Sequence, residues 1–395
     1  MQAFIIAGEL SGDKLGAALM SGLTTLQPDI TFDGVGGPLM TSQGLTSRFP
    51  MQELSLMGIA EILPKYRQLK RRIRETADAI IAAKPDVLIT IDSPDFCLRV
   101  AKRVKQHSTI RTVHYVAPSV WAWRPKRAEK MATCIDQVLA LLPFEPPFMQ
   151  AAGMRCDFVG HPVVAEPVAT ATEAQAFRDT HNLGAAPLLL LLPGSRRGEV
   201  TRLAPRFGET LRAILKQRPD LKLVLPAATP VVDLVRELTA NWPQTPLILD
   251  PSDHTTPELA AKEKRAAFRA ADMALAASGT VSLELAAAAT PMVIAYDMNW
   301  LSRQIISRML RVDTVTLVNL VSGTRVIPEF IGARCQPDLI APAVLQILTD
   351  PSSQFEAMAL TMDRLGRHEE DPGLRAARAI LVGLNASRPN SPAGI

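Results

Sequence analysis

The chain has 395 residues, of which 47% are hydrophobic, 21% charged and 5% aromatic, with a formal net charge of +4. That length suits two domains with cores of their own, and the balance excludes a disordered or fibrous chain. The charge is too small for wholesale nucleic-acid binding, so no nucleic-acid partner is expected. No apolar run approaches the roughly 18 residues that span a bilayer.

The start, Met1 to Ala7, enters a strand pattern without a basic leader, so no export signal is read there. Cys97, Cys134, Cys156 and Cys335 are scattered without paired spacing, which indicates neither a zinc site nor a disulfide frame. Short runs of Val, Ile and Leu alternate with longer amphipathic stretches, the pattern of βαβ units and parallel sheets.

In the first half, strands are expected at 4–7, 31–35, 86–91, 112–116 and 137–141. The first opens into Gly8-Glu9-Leu10-Ser11-Gly12-Asp13, which lacks the GxGxxG spacing. Glu9 and Asp13 would repel phosphate, so this loop with Ser11 is assigned to sugar or acceptor hydroxyls; plain turn formation is the alternative. Ile59, Ile62, Leu63, Tyr66, Leu69 and Ile73 then recur at helical spacing, with Lys65, Arg67, Lys70, Arg71, Arg72 and Arg74 between them. Preceded by Met51, Leu54, Leu56 and Met57, such a stripe fits a helix lying on an anionic membrane. A helix packed on the sheet is the commoner outcome, and Pro64 is expected to kink or restart it.

The strand at 86–91 runs into Asp92-Ser93-Pro94-Asp95. Pro94 suits the first helical position, with Ser93 as cap and Asp95 in the first turn, which leaves Asp92 as the better candidate to take a proton from an attacking hydroxyl. Further on, Trp121 and Trp123 stand beside Arg124, Lys126 and Arg127, a set suited to an anionic lipid headgroup or, equally, to a buried aromatic corner. His161 reads as a packed histidine. Gly160 to Pro167 is the expected linker.

In the second half, strands are expected at 188–192, 221–225, 247–249, 273–276 and 292–295. The first runs into Pro193-Gly194-Ser195-Arg196-Arg197, where a glycine turn feeding a helix N-terminus offers backbone N–H groups and Arg196 adds a fork donor for phosphate. An ordinary loop with solvated arginines is the competing reading. The strand at 273–276 precedes Ala277-Ser278-Gly279-Thr280, where Ser278 or Thr280 can cap the next helix. Glu284, one turn beyond Thr280, could accept two hydrogen bonds from ribose hydroxyls. Helix is expected from 351 to 385 and disorder over 386–395.

These segments, together with Met57-Gly58-Ile59, Tyr115-Val116-Ala117-Pro118, Leu142-Pro143-Phe144-Glu145, Val159-Gly160-His161-Pro162 and Val318-Asn319-Leu320, resemble in order the lipid-A-disaccharide synthases. Singly most are weak, and the collinear set is what makes the resemblance specific. The chain departs from the usual pattern in the doubled Arg196-Arg197 and in Leu10. The resemblance implies an α/β fold of two doubly wound Rossmann-like domains facing across a cleft, the GT-B type. Residues 1–163 would form the acceptor and membrane-facing domain and 164–350 the UDP-sugar domain, with 351–385 crossing back.

It also implies an inverting transfer from UDP-2,3-diacylglucosamine to 2,3-diacylglucosamine 1-phosphate, giving the β-1,6-linked disaccharide 1-phosphate and UDP. Asp92 would be the base. Arg196, Glu284 and Asn319 would hold UDP, alongside Ser195, Ser278 and Thr280. Glu9, Ser11 and Asp13 would line the cleft, and Trp121, Trp123 and Arg124 would meet substrate. Met57, Ile59, Ile62, Arg71 and Arg72 would face a membrane. No metal and no cofactor are expected. The protein would be cytoplasmic and peripheral on the inner face of the inner membrane; a homodimer is left open. The alternatives are a UDP-N-acetylglucosamine 2-epimerase on the same fold, which would not need Trp121 or Trp123, and a non-catalytic lipid-binding scaffold.

Overall fold

Strands that are apolar on both faces need a cover on each side, and crossover helices of parallel sheets supply it. The computed structural model describes residues 1–54, 59–123, 126–298 and 312–387. Two units follow the chain: Met1–Ala165 with the stretch from His368, and Glu166–Arg367.

The first unit holds β1 (Gln2–Ala7), β2 (Thr31–Val35), β3 (Val87–Ile91), β4 (Arg111–Tyr115), β5 (Gln137–Ala140) and β6 (Arg155–Phe158). All neighbours are parallel, in the order β2-β1-β3-β4-β5-β6. The sheet's two faces belong to separate clusters, one around Phe4, Ile6 and Leu88 and the other around Ile5, Leu19 and Ile89. The last helix, Pro372–Ser387, packs on Leu10–Leu26 and gives Ala376, Ala377 and Ile380 to the second of these clusters. Gln137 Nε2 donates to the Ala379 carbonyl at 3.0 Å and Arg375 to that of Phe158 at 3.2 Å, so polar contacts hold the helix as well.

The second unit holds β7 (Leu188–Leu192), β8 (Lys222–Pro226), β9 (Leu247–Leu249), β10 (Met273–Ala276), β11 (Met292–Tyr296) and β12 (Glu329–Ile331). Its order is β12-β11-β10-β7-β8-β9, again parallel. The five consecutive leucines of β7 are all buried, as a central strand covered on both faces requires. Ser352–Arg364 belongs to this unit, where Gln354 bonds both backbone groups of Met292 at 2.7 and 3.0 Å.

The expected strands are present with ends differing by one or two residues, while β6 and β12 were not foreseen. Both lie at sheet edges, where Arg155-Cys156-Asp157-Phe158 shows no continuous apolar run and β12 has three residues. Pro64 does not restart the helix, which runs as Ile59–Ala83. A proline this close to the start removes one backbone bond and leaves the later turns intact. Met57, Arg124 and the tail from 388 lie outside the described residues; Ile59 and Ile62 fall in the first turns of that helix.

In each sheet the chain builds outward one way from the first strand and then the other. Ligands of open parallel sheets bind at such switch points, beyond the carboxyl ends of the strands. Here those are the loops after β1 and β3 in the first unit and after β7 and β10 in the second.

Candidate active site

The second switch point opens into a cavity of about 770 Å³, within the range of small-molecule sites. Ser195, Arg196, Ser278, Thr280 and Glu284 all line it. Gly194, with φ of +117°, makes the turn; a Cβ there would lie 2.6 Å from Glu199. Glu199 accepts from the backbone N–H groups of Ser195 and Arg196 at 3.2 and 3.4 Å and so fixes the turn before the helix Arg197–Gln217. Arg196 is exposed and stands 3.8 Å from Glu199. On the other side Lys264 Nζ donates to Glu284 at 2.6 Å.

Thr280 stands at the helix start, but its side chain makes no capping bond. Its backbone is already helical at φ −63°, and the carbonyls of Gly279 and Thr280 take the first N–H groups instead. Asn319 is elsewhere. It is buried in the helix Leu317–Ser322, donates to Thr314 Oγ1 and the Ile327 carbonyl, and accepts from the Ile327 N–H. Its amide therefore ties down the loop before β12. His254, Glu263 and Lys264, also in the cavity wall, carry no motif and were missed; the one available signal was their place in and after the polar segment that follows β9.

At the first switch point, the loops after β1 and β3 interlock. Asp92 and Ser93 follow β3 with φ of 50° and 42°, and Val116 follows β4 with φ of 81°. Non-glycine residues in this region are strained, on the order of 1–3 kcal/mol each, and persist where their surroundings enforce them. The Asp92 N–H donates to the Tyr115 carbonyl at 3.0 Å, which joins the two strand ends. A Cβ on Gly8 would lie 2.4 Å from Ser93 Oγ, so only glycine allows this close approach.

The expected Ser93 cap is absent: the left-handed backbone turns the side chain away, and the Ser93 carbonyl accepts from Phe96 and Cys97 instead. Ser93 Oγ is buried with no hydrogen-bond partner among the described residues. Asp92 is half-buried and Asp95 exposed in the first helical turn. Glu9, half-buried, occupies the position before the helix Leu10–Leu26, and Ser11 is exposed. Asp13 serves the fold, because its carboxylate accepts from the N–H groups of Gly37, Leu39 and Met40 at 2.8–3.0 Å and caps the short helix Pro38–Ser42.

Trp121 and Trp123 lie in a turn, with both the Ala122 and Trp123 N–H groups on the Ser119 carbonyl at 3.2 Å. Trp121 packs edge-to-face on Phe144 and donates to Glu145 Oε1 at 3.3 Å, while Trp123 is 36% exposed. Glu145 also accepts from the Leu142 N–H at 3.0 Å. Burial pushes its carboxyl up to about 7, although the hydrogen bonds from Leu142 and Trp121 pull the other way.

A raised carboxyl binds its proton more tightly folded than unfolded, so it lowers stability as pH climbs from about 4.5 to about 7. Between pH 5 and pH 8 the wild-type unfolding free energy is expected to fall by on the order of 3 kcal/mol more than that of Glu145→Gln. Urea denaturation at the two pH values measures this, and parallel curves would exclude a raised Glu145.

Two cations of the expected membrane stripe are partly engaged. Arg72 donates to both oxygens of Glu53 at 2.8 and 2.9 Å, pairs with Glu75 and stacks 4.5 Å over Phe49, while Arg71 stands 3.5 Å from Glu75. Among the described residues no helix is long and apolar enough to cross a membrane, and no group of three His, Cys, Asp or Glu side chains is placed to hold a metal.

Compared with known proteins, the chain matches the family described as lipid-A-disaccharide synthetase over residues 3–380. A lipid-A-disaccharide synthase of Ruegeria pomeroyi is 64% identical over 381 residues, covering 96% of this chain and 95% of that protein. Among solved structures, an S. aureus MnaA–UDP co-structure has a TM-score of 0.64 at 13% identity, covering 98% of each chain. The UDP-GlcNAc 2-epimerase of Neisseria meningitidis bound to UDP-GlcNAc has a TM-score of 0.61 at 12% identity, covering 98% of this chain and 100% of that one. At such identities the likeness carries the fold alone and lends the epimerase reading no support. Matching over nearly the whole length, with 64% identity to a curated member, does carry the family: the chain belongs to the lipid-A-disaccharide synthetases, glycosyltransferases of lipid A biosynthesis.

Proposed function

We propose that the protein joins UDP-2,3-diacylglucosamine to 2,3-diacylglucosamine 1-phosphate, with inversion, and releases UDP. The observation that carries this reading is the second-unit cavity, where a glycine turn, a helix N-terminus, Arg196 and Glu284 converge at a switch point. Phosphate oxygens suit the first three and ribose hydroxyls the carboxylate. In the first unit, Asp92 takes the proton from the acceptor 6-hydroxyl as that oxygen attacks the anomeric carbon and the bond to UDP breaks. Arg196 and the backbone N–H groups before Arg197–Gln217 stabilise the charge that develops on the leaving diphosphate.

Mixing donor and acceptor should give a product with the mass of the disaccharide 1-phosphate, together with UDP. Conversion of UDP-N-acetylglucosamine alone, without transfer, would favour the epimerase instead.

The acceptor reading extends to a membrane surface. Lys70, Arg74, Arg99, Lys102 and Arg103 line a groove of about 550 Å³ beside Ile73, between the helices Ile59–Ala83 and Pro94–His107. Each cation near an anionic bilayer contributes about 1 kcal/mol. Arg74→Glu with Lys102→Glu is therefore expected to reduce sedimentation with phosphatidylglycerol vesicles at low salt while UDP affinity stays unchanged. Equal sedimentation of variant and parent would discard this surface. Arg72 is unsuited to the test, because its reversal would set two carboxylates against each other at Glu53.

A further inference from the structure

Across the second sheet the cavity-lining loops run in the order β10, β7, β8, β9. The anion-friendly turn at Gly194–Arg196 lies toward one end, and the other is walled by Pro226, Ala227, Leu249 and Pro251. A nucleoside diphosphate with its phosphates on that turn has its base among these apolar walls. Asp250, at the same end, is already engaged: Ser252 donates twice to Oδ1 at 2.9 and 2.7 Å, and Arg236 donates to Oδ2 at 2.6 Å.

His254 lines the same end. Its Nε2 lies 2.8 Å from Glu263 Oε2, and Glu263 Oε1 lies 3.0 Å from His181 Nε2. A carboxylate only accepts, so both imidazoles donate from Nε2–H. When the His254 ring carries one proton, its Nδ1 is then an acceptor, fixed in that form by a partner behind it. Uracil presents an N–H at N3, whereas cytosine presents a lone pair at N3. We propose that His254, held by the Glu263–His181 relay, selects uracil over cytosine in the nucleotide that this cavity takes. The assignment rests on the donor reading above and adds a specificity-determining residue to it.

Calorimetric titration of the full chain with UDP and with CDP tests it. The wild type should bind UDP at least about tenfold more tightly than CDP, as expected when a site built to pair an N–H meets a base without one. His254→Ala should weaken UDP by about tenfold and leave CDP nearly unchanged, so that the preference collapses. Glu263→Gln leaves the ring in place but offers one acceptor and one donor to two histidine N–H groups, and the UDP to CDP ratio should fall there too. An unchanged ratio in both variants, or an equal loss for both nucleotides, would overturn the assignment while leaving the donor reading in place. A wild type that binds no UDP would overturn both.

Discussion

Asp92→Asn is expected to lower turnover by about a hundredfold or more, the scale of a lost general base, while UDP affinity stays at the wild-type value. The substitution isolates the chemistry. Asp92 sits at φ 50°, a region that asparagine adopts more readily than most residues, so the strained strand end is kept and only the proton acceptor is lost. The Asp92 N–H bond to the Tyr115 carbonyl is a backbone bond and survives as well. Asp95→Asn is the matched control: Asp95 is exposed in the first turn of Pro94–His107, where a carboxylate favours the helix by about 0.3–1 kcal/mol. A modest fall in melting temperature with turnover intact is expected there. Near-normal turnover in Asp92→Asn would remove Asp92 from the mechanism, and loss in Asp95→Asn instead would reverse the pair.

Arg196→Ala and Glu284→Ala should each weaken UDP binding by about 1.5–3 kcal/mol, roughly 10- to 150-fold, if each removes a charge-assisted hydrogen bond in a desolvated site. The surroundings rank the two. Arg196 is exposed and held only at 3.8 Å by Glu199, so its charge is available to a diphosphate and its loss should lie toward the upper end. Glu284 is paired with Lys264 at 2.6 Å, and its removal frees a cation that also lines the cavity. That cation partly offsets the lost carboxylate, which puts Glu284→Ala toward the lower end. Calorimetry with UDP measures both, and unchanged affinity in both variants would move the nucleotide site elsewhere.

Strand positions were legible because they are a local property. Five leucines at 188–192 bounded by proline and glycine can hardly be anything but a buried strand, and the loops at Gly8–Asp13, Asp92–Asp95, Gly194–Arg196 and Ser278–Thr280 announce themselves by composition. From the same local signals the fold class and the family motifs were within reach. The roles of side chains within those motifs were less so. Asp13 reads like a cleft carboxylate and caps Pro38–Ser42, Asn319 reads like a nucleotide ligand and holds Ile327, and Arg72 reads as a membrane-facing cation and grips Glu53.

What the sequence determined by itself is thus the ten apolar strands and the loops that follow them, while the edge strands β6 and β12 escaped it. The tertiary structure alone decided strand order, and with it the adjacency of β1 to β3 and of β7 to β10 that turns four separate loops into two switch points. It alone decided, too, that His181 meets Glu263 across 82 positions of sequence. The physical reason is range: periodicity and turn chemistry act over a few residues, whereas strand order and long-range hydrogen bonds depend on how whole elements pack, which no local pattern encodes.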